Sequence, residues 1–467
     1  MARVKTGTPV LMLAFVASLG GFLFGYDTAV ISGTISLVKA QFLMDAVAEG
    51  WFVSSALVGC IIGVSVAGFL SDRFGRKPVI LLSGALFLLS ALGCMLSDGQ
   101  QMLILYRLVG GIGVGVASLI CPVYISEIAP PHLRGRLVAF YQFSIALGIL
   151  TAYFVNAGLL GLSLAEGWQP VGLLNKVVQA EVWRSMFGSE AIPALAFLIL
   201  LSVVPESPRW VALGDHPERA LKILQRINPQ QSETDNQLAI NEIRNSSTSE
   251  RVTLKVIFKA GFGPVLLLGV AIAMLQQLSG INAILYYGPR ILETAGFSLS
   301  DALGGQVVIG LVMVAFTLLA IWKVDHWGRK KLLVTGIIGA LASHLVIGAL
   351  FLTGTSQGTV MLIFILLFIA CFAFSYGPVI WIYLSEIFPN RFRGRAVGIA
   401  TLMLWGTNAL LGQVVPWLLE NFNTGLTFWI FAVFCIPAFL IVARLMPETK
   451  GKTLEEIELY WRQRFRK

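Results

Sequence analysis

Apolar residues in this chain come in runs of about twenty, separated by short polar loops. The runs fall at 10–38, 50–71, 78–97, 102–125, 136–158, 185–204, 262–292, 301–324, 331–353, 359–384, 395–420 and 425–446. At ~1.5 Å per helical residue each is long enough to cross a hydrocarbon core ~30 Å thick. The twelve divide six and six around a polar stretch from Pro205 to Lys259, where segments such as HPERALKILQRI predict short surface helices. The pattern therefore predicts an all-α integral membrane protein of twelve transmembrane helices. Its expected parts are a six-helix half over 1–204, linker helices over 205–260, a second half over 261–446 and a tail over 447–467.

The halves repeat. DRFGRK at 72–77 matches DHWGRK at 325–330, each after the second run of its half; SEIAPPHLRGR at 126–136 matches SEIFPNRFRGR at 385–395, each after the fourth. Pro205-Glu206 and Pro447-Glu448 follow the sixth and twelfth. Three paired motifs in one order predict parallel repeats, an arrangement in which solute binds near the midplane between halves that rock.

Composition agrees with a membrane protein, at 56% hydrophobic and 13% charged residues, with mean hydropathy +0.79. A net charge of +9 would suit a nucleic-acid partner, but the bases sit in loops between apolar runs. All but six of the 34 Lys and Arg lie in the termini and the alternate loops that begin at Asp72. Lys39, Lys176, Arg184 and Arg290 occupy the opposite loops, and Arg107 and Lys323 lie inside runs. That bias predicts cytoplasmic termini, a cell (inner) membrane location and no nucleic-acid partner. The first run is too long for a signal peptide and is read as a span. The five cysteines all fall in apolar segments and imply no disulfide framework.

Asp27 stands out within the first run. A carboxylate inside a spanning helix costs at least ~2.5 kcal/mol, and such residues mark ion pathways. Counting helical rise puts it about 25 Å along its span, in the outer half, while Arg107 and Glu190 lie roughly 8 Å into spans that start outside. All three reach a similar level. A carboxylate beside a guanidinium is held ionised, and a second carboxylate or loss of that contact favours protonation, so Asp27, Arg107 and Glu190 are expected to couple a proton. In the seventh run, Gln276, Gln277 and Asn282 supply amides that suit a hydroxyl-rich solute, with a break expected at Ser279-Gly280. Gly377-Pro378 predicts a hinge in the tenth. His344 is expected to make a local hydrogen bond. Asp72, Arg73, Arg76, Glu127, Arg134 and Arg136 in one half, and Asp325, Arg329, Glu386, Arg393 and Arg395 in the other, are placed to latch the halves on the inner side.

The motifs GYDTAVISGT (25–34), YRLVGGIGVG (106–115), VPESPRW (204–210), QQLSGIN (276–282) and PETKGKTLEE (447–456) resemble those of the sugar porters of the major facilitator superfamily over nearly the whole chain. The chain is most similar to the xylose/proton symporters of that family. The resemblance implies the major facilitator fold and proton-coupled symport of a monosaccharide or related polyol by alternating access, by a protein that is no enzyme, acts as a monomer and needs no cofactor besides the proton. It adds Phe24, Gln142 and Trp381 to the sugar-binding set, Tyr286 and Tyr287 to an outer gate, and Glu206, Arg209 and Glu448 to the inner charge network. Facilitators of the family commonly carry Asn where this chain has Asp27, which leaves facilitated diffusion as the alternative function and a membrane sugar sensor as a remoter one. Ile149, Met313 and Leu404 replace amides of the xylose symporters, so xylose itself is not implied.

Overall fold

The computed structural model describes residues 8–130, 133–165, 171–214, 217–227, 229, 232–245, 254–354, 358–389 and 392–465; the side chains of residues 8, 9, 245, 325 and 465 lie outside the description. Among the described residues, twelve helices are long and apolar enough to cross a membrane. They are Val10–Phe42, Ala46–Phe74, Arg76–Leu96, Gln100–Ile128, Arg134–Ser163, Trp183–Ser202, Gly263–Thr294, Leu299–Val324, Arg329–Leu352, Gly358–Ile387, Arg393–Asn421 and Asn423–Arg444, called spans 1 to 12. Each apolar run becomes one helical span, and no strand occurs among the described residues.

The repeated motifs are repeated structure. Between spans 2 and 3 the chain turns at Gly75 (φ 102°), and between spans 8 and 9 at Gly328 (φ 84°). Both angles disfavour a side chain, and a Cβ would also strike the carboxylate of Glu206 at the first turn and of Glu448 at the second. The linker after span 6 forms helices Pro208–Leu213, Pro217–Ile227 and Glu233–Asn245, which pack around Val211, Ala212, Ala220 and Ile240. Ser207 caps the first of them, its hydroxyl accepting from the N–H of Trp210, with Pro208 at the start where its missing N–H is harmless. The tail helix Leu454–Phe465 opens on a reciprocal cap between Thr453 and Glu456 and buries Trp461.

Three spans are interrupted. Span 6 turns at Glu190, between Trp183–Ser189 and Ala191–Ser202. Span 7 breaks between Gly263–Leu278 and Ile281–Thr294 at the expected Ser279-Gly280, with Gly280 left-handed at φ 83°. Span 10 breaks at Ser375, between Gly358–Phe374 and Tyr376–Ile387. The expected hinge at Gly377-Pro378 thus lies two residues past the break, in the first turn of the new helix, where proline costs no hydrogen bond.

The chain packs as two compact units. One comprises Met1–Asp27, Gly59–Ile149 and Phe187–Glu250; the other comprises Thr28–Val58, Leu150–Met186 and Arg251–Lys467. The second unit therefore gathers spans 7 to 12 together with those ends of spans 1, 2, 5 and 6 that lie away from the basic motif loops. Tyr153 of span 5 donates to the Leu285 carbonyl of span 7 (3.1 Å), and Ser54 of span 2 to Gln413 of span 11 (2.9 Å).

Candidate functional site

Asp27 and Arg107 meet inside the first unit. Arg107 Nη1 donates to Asp27 Oδ1 at 2.8 Å, and both side chains are buried. A charge-assisted bond of this kind, cut off from water, is strong only while both partners stay charged. The Arg107 guanidinium also lies 5.6 Å from the centroid of the Phe187 ring, on the turn that leads into Glu190. Glu190 is buried as well, and its Oε1 has no hydrogen-bond partner. The residues preceding the two acids are joined, Tyr26 OH to Ser189 Oγ at 2.7 Å, which ties span 1 to span 6 beside both carboxyls. Room for Asp27 comes from Gly110 of span 4, where a Cβ would collide with Ser90 Oγ and lie 3.4 Å from Asp27 Oδ1.

The amides of span 7 form a chain across its break, inside the second unit. Asn282 Nδ2 donates to Gln277 Oε1 (2.5 Å), Gln277 Nε2 to Gln276 Oε1 (3.4 Å), and Gln276 Nε2 to the Tyr376 carbonyl (3.0 Å), where the lower helix of span 10 begins. Gln276, Gln277 and Asn282 are buried. Trp381, in that same helix, is half-buried, as are Phe24 of span 1 and Gln142 of span 5. Tyr286 and Tyr287 pin the far half of span 7 to span 11: Asn408 Nδ2 donates to Tyr286 OH (3.2 Å), and Tyr287 OH to the Gly412 carbonyl (2.7 Å). Leu404 and Ile149 are buried apolar residues.

On the face opposite the motif loops lies a cluster of four charges that sequence reading missed. Glu49 pairs with Lys39 (2.7 Å) and with Arg290; Glu420 pairs with the same two bases at 2.5 and 3.0 Å. Glu49 is fully buried, its partners come from the ends of spans 1 and 7, and Glu420 from the end of span 11. Ser36 of span 1 donates to Glu293 of span 7 (2.9 Å), 257 residues on in the chain. In sequence these residues look like ordinary loop charges, the separation between partners reaching 381 residues.

The motif-loop charges form a network inside each half. Arg76 reaches Glu127 through Nε and Nη2 (both 3.1 Å) and Asp72 (3.1 Å), while Glu206 accepts from the Arg76 and Lys77 N–H groups and Ser207 donates to Glu127. The second half repeats this. Arg329 binds Glu386 (2.8 Å), Glu448 accepts from the Arg329 and Lys330 N–H groups, and Thr449 donates to Glu386. Each network thus clamps the turn after the second span to the end of the fourth and to the segment leaving the sixth. Burial opposes the charge on Glu448, but the N–H groups of Lys450, Arg329, Lys330 and Thr449 outweigh it and hold its carboxyl below the ordinary range. Arg73, Arg134, Arg136, Arg209 and Arg395 are exposed, Arg393 is half-buried, and the Asp325 side chain lies outside the described residues.

Two six-helix repeats, an acid–base pair buried in one and an amide-lined broken span in the other define a membrane transporter of the major facilitator fold. Residues 13–461 match the family described as "Sugar (and other) transporter", and the chain belongs to that family. The chain is 41% identical to the arabinose-proton symporter of Bacillus subtilis, covering 97% of this chain and 95% of that one, and 39% identical to the D-xylose-proton symporter of Escherichia coli K12, covering 97% and 96%. Among solved structures it is similar to the xylose transporter XylE of E. coli in a partially occluded inward-open conformation, with a TM-score of 0.82, 37% identity, and 96% of this chain and 100% of that one covered. The sugar-porter resemblance of the motifs and the twelve-span fold are both borne out.

Proposed function

We propose that this protein is a secondary active transporter that moves a monosaccharide, pentose or hexose, or a related polyol together with a proton by alternating access. The observation that carries the reading is the buried Asp27–Arg107 pair with the Glu190 carboxyl beside the same arginine's aromatic neighbour. Protonation of Asp27 removes the charge that holds Arg107, and the freed guanidinium turns toward Glu190, so that spans 1, 4 and 6 shift. An amide at position 27 would hold no proton through such a cycle. Gln276, Gln277 and Asn282 hold the solute, its hydroxyls replacing the bonds the span 7 amides make among themselves, and the family resemblance adds Gln142, Phe24 and Trp381 to the sugar-binding residues. The relatives named for arabinose and xylose support a pentose as the first candidate.

The positive-inside bias of the basic loops supports a cytoplasmic position for both termini and the motif networks, with the protein in the cell's inner membrane. The Lys39–Glu49–Arg290–Glu420 cluster is then the outer closure, next to Tyr286 and Tyr287. The protein works as a monomer, takes no cofactor besides the coupling proton, and does no chemistry on its solute.

Uptake of labelled L-arabinose, D-xylose, D-glucose, D-galactose and myo-inositol into proteoliposomes, with and without an imposed pH gradient, tests this directly. One proton per solute supports at most about tenfold accumulation per pH unit. Accumulation of any of these that collapses with a protonophore supports symport; equilibration that ignores the gradient makes the protein a facilitator.

A further inference from the structure

His344 lies in span 9, fully buried. Its Nε2 is 2.8 Å from the carbonyl oxygen of Ser279, the residue at the break of span 7. That carbonyl needs a partner for a physical reason. With Gly280 left-handed, the second helix starts at Ile281, and the first turn bond runs from the Ile284 N–H to the Gly280 carbonyl. The Ser279 carbonyl precedes that turn and loses its helical donor, so another group must satisfy it in a region without water. Since a carbonyl only accepts, the ring carries its proton on Nε2, and Nδ1, which has no partner, is the bare nitrogen. The ring is held on three sides by Phe368, Phe428 and Phe431, with centroids 4.3, 5.7 and 5.9 Å away. Phe431 also abuts Gly280, where a Cβ would fall 2.5 Å from its ring.

The break is tied to the amides on either side. Ser279 Oγ donates to the Gln276 carbonyl (2.5 Å), Gln276 and Gln277 end the first helix, and Asn282 begins the second. Where Ser279 sits therefore sets the spacing of the amide chain. We propose that His344 is a positioning residue of the solute site, a neutral donor that anchors the Ser279 carbonyl and so fixes how Gln276 and Gln277 face Asn282. This rests on the reading of those amides as the sugar site. It also makes span 9, which contributes no group to the solute, a determinant of affinity.

The test uses the full-length protein in proteoliposomes, with D-xylose and L-arabinose as probes and four variants. Gln277→Ala tests the site alone; if its KM equals that of the wild type, the amide-site reading fails whatever His344 does. His344→Phe and His344→Met fill the aromatic slot without a donor, and His344→Gln restores an N–H near the Nε2 position. The expected result is a KM raised about tenfold in His344→Phe, the factor for one lost buried hydrogen bond, with Vmax within about twofold and KM in His344→Gln within about twofold of wild type. The pH profile of uptake keeps its shape in all His344 variants, because the ring acts without changing charge. An unchanged KM in the donor-free variants overturns the proposal. So does equal impairment of His344→Gln and His344→Phe, or a failure of both donor-free variants to fold while His344→Gln folds, since each makes the ring a packing element only.

Discussion

Replacing Glu49 by Gln should open the side opposite the motif loops. Glu49 is the only fully buried member of its four-charge cluster; Lys39, Arg290 and Glu420 keep 28%, 20% and 37% of their side-chain surface exposed. Removing one member of a wholly buried ion pair costs about 3–5 kcal/mol, and removing one from an exposed pair about 0–1. With one partner sealed and two bases partly wet, about 2 kcal/mol is the appropriate middle value. All of it falls on the closed state, because these four ends come together only when spans 1, 2, 7 and 11 meet. A change of about 2 kcal/mol moves a two-state equilibrium about 30-fold. Ser54→Cys reports it, since position 54 is buried against Gln413 near the cluster and four of the five native cysteines are buried. In detergent, alkylation of Cys at position 54 should speed up about 30-fold in the Glu49→Gln background and less than about fivefold with Glu420→Gln. High salt should reproduce part of the Glu420 effect and little of the Glu49 effect. Equal rates in the Glu49→Gln and parent proteins, or a larger effect from Glu420→Gln, would refute the reasoning.

Asp27→Asn should abolish proton-driven accumulation while leaving counterflow exchange of the same sugar, measured in the same vesicles; gradient-driven uptake in that variant would sink the coupling role. Gly110→Ala places a methyl between Ser90 and Asp27 and should cost about 1–3 kcal/mol by overpacking, seen as a lower melting temperature and a shifted pH dependence of symport. Glu448→Gln should loosen the tail at neutral pH, read as faster hydrogen exchange over 453–465. Because the folded-state carboxyl of Glu448 lies below its ordinary value of 4.5, its contribution is full above that value and fades as pH falls through the lower, folded one. Wild type and Glu448→Gln should therefore converge in acid.

The spans and the costly charges were the legible part of this chain. Twenty apolar residues in a row have few alternatives to a membrane helix, and Asp27 in such a run demands a partner that only Arg107 or a few others could supply. Connectivity was harder. Glu49 reads as a favourable acid at a helix N-terminus, and nothing local shows that its carboxylate is sealed between Lys39 and Arg290. The motif charges look suited to bridging the two halves, but nothing local in the sequence shows that Arg76 also bonds Glu127 and Arg329 also bonds Glu386, through the turns that Gly75 and Gly328 permit. Ser279-Gly280 announced a break, but the donor that satisfies it sits 65 residues on, in a histidine whose surroundings are all phenylalanine.

The chain of amides in span 7 bears on how tightly this protein can grip its cargo. Asn282, Gln277 and Gln276 already bond to one another and to the Tyr376 carbonyl, so at the proposed solute site an arriving hydroxyl gains only the difference between a new bond and the one it displaces. Affinity is thereby kept modest while orientation stays strict, because a hydroxyl pointing the wrong way breaks a bond and returns none. A carrier must let go on the far side of the membrane, and a binding site that closes on itself as the sugar leaves makes release nearly level in energy.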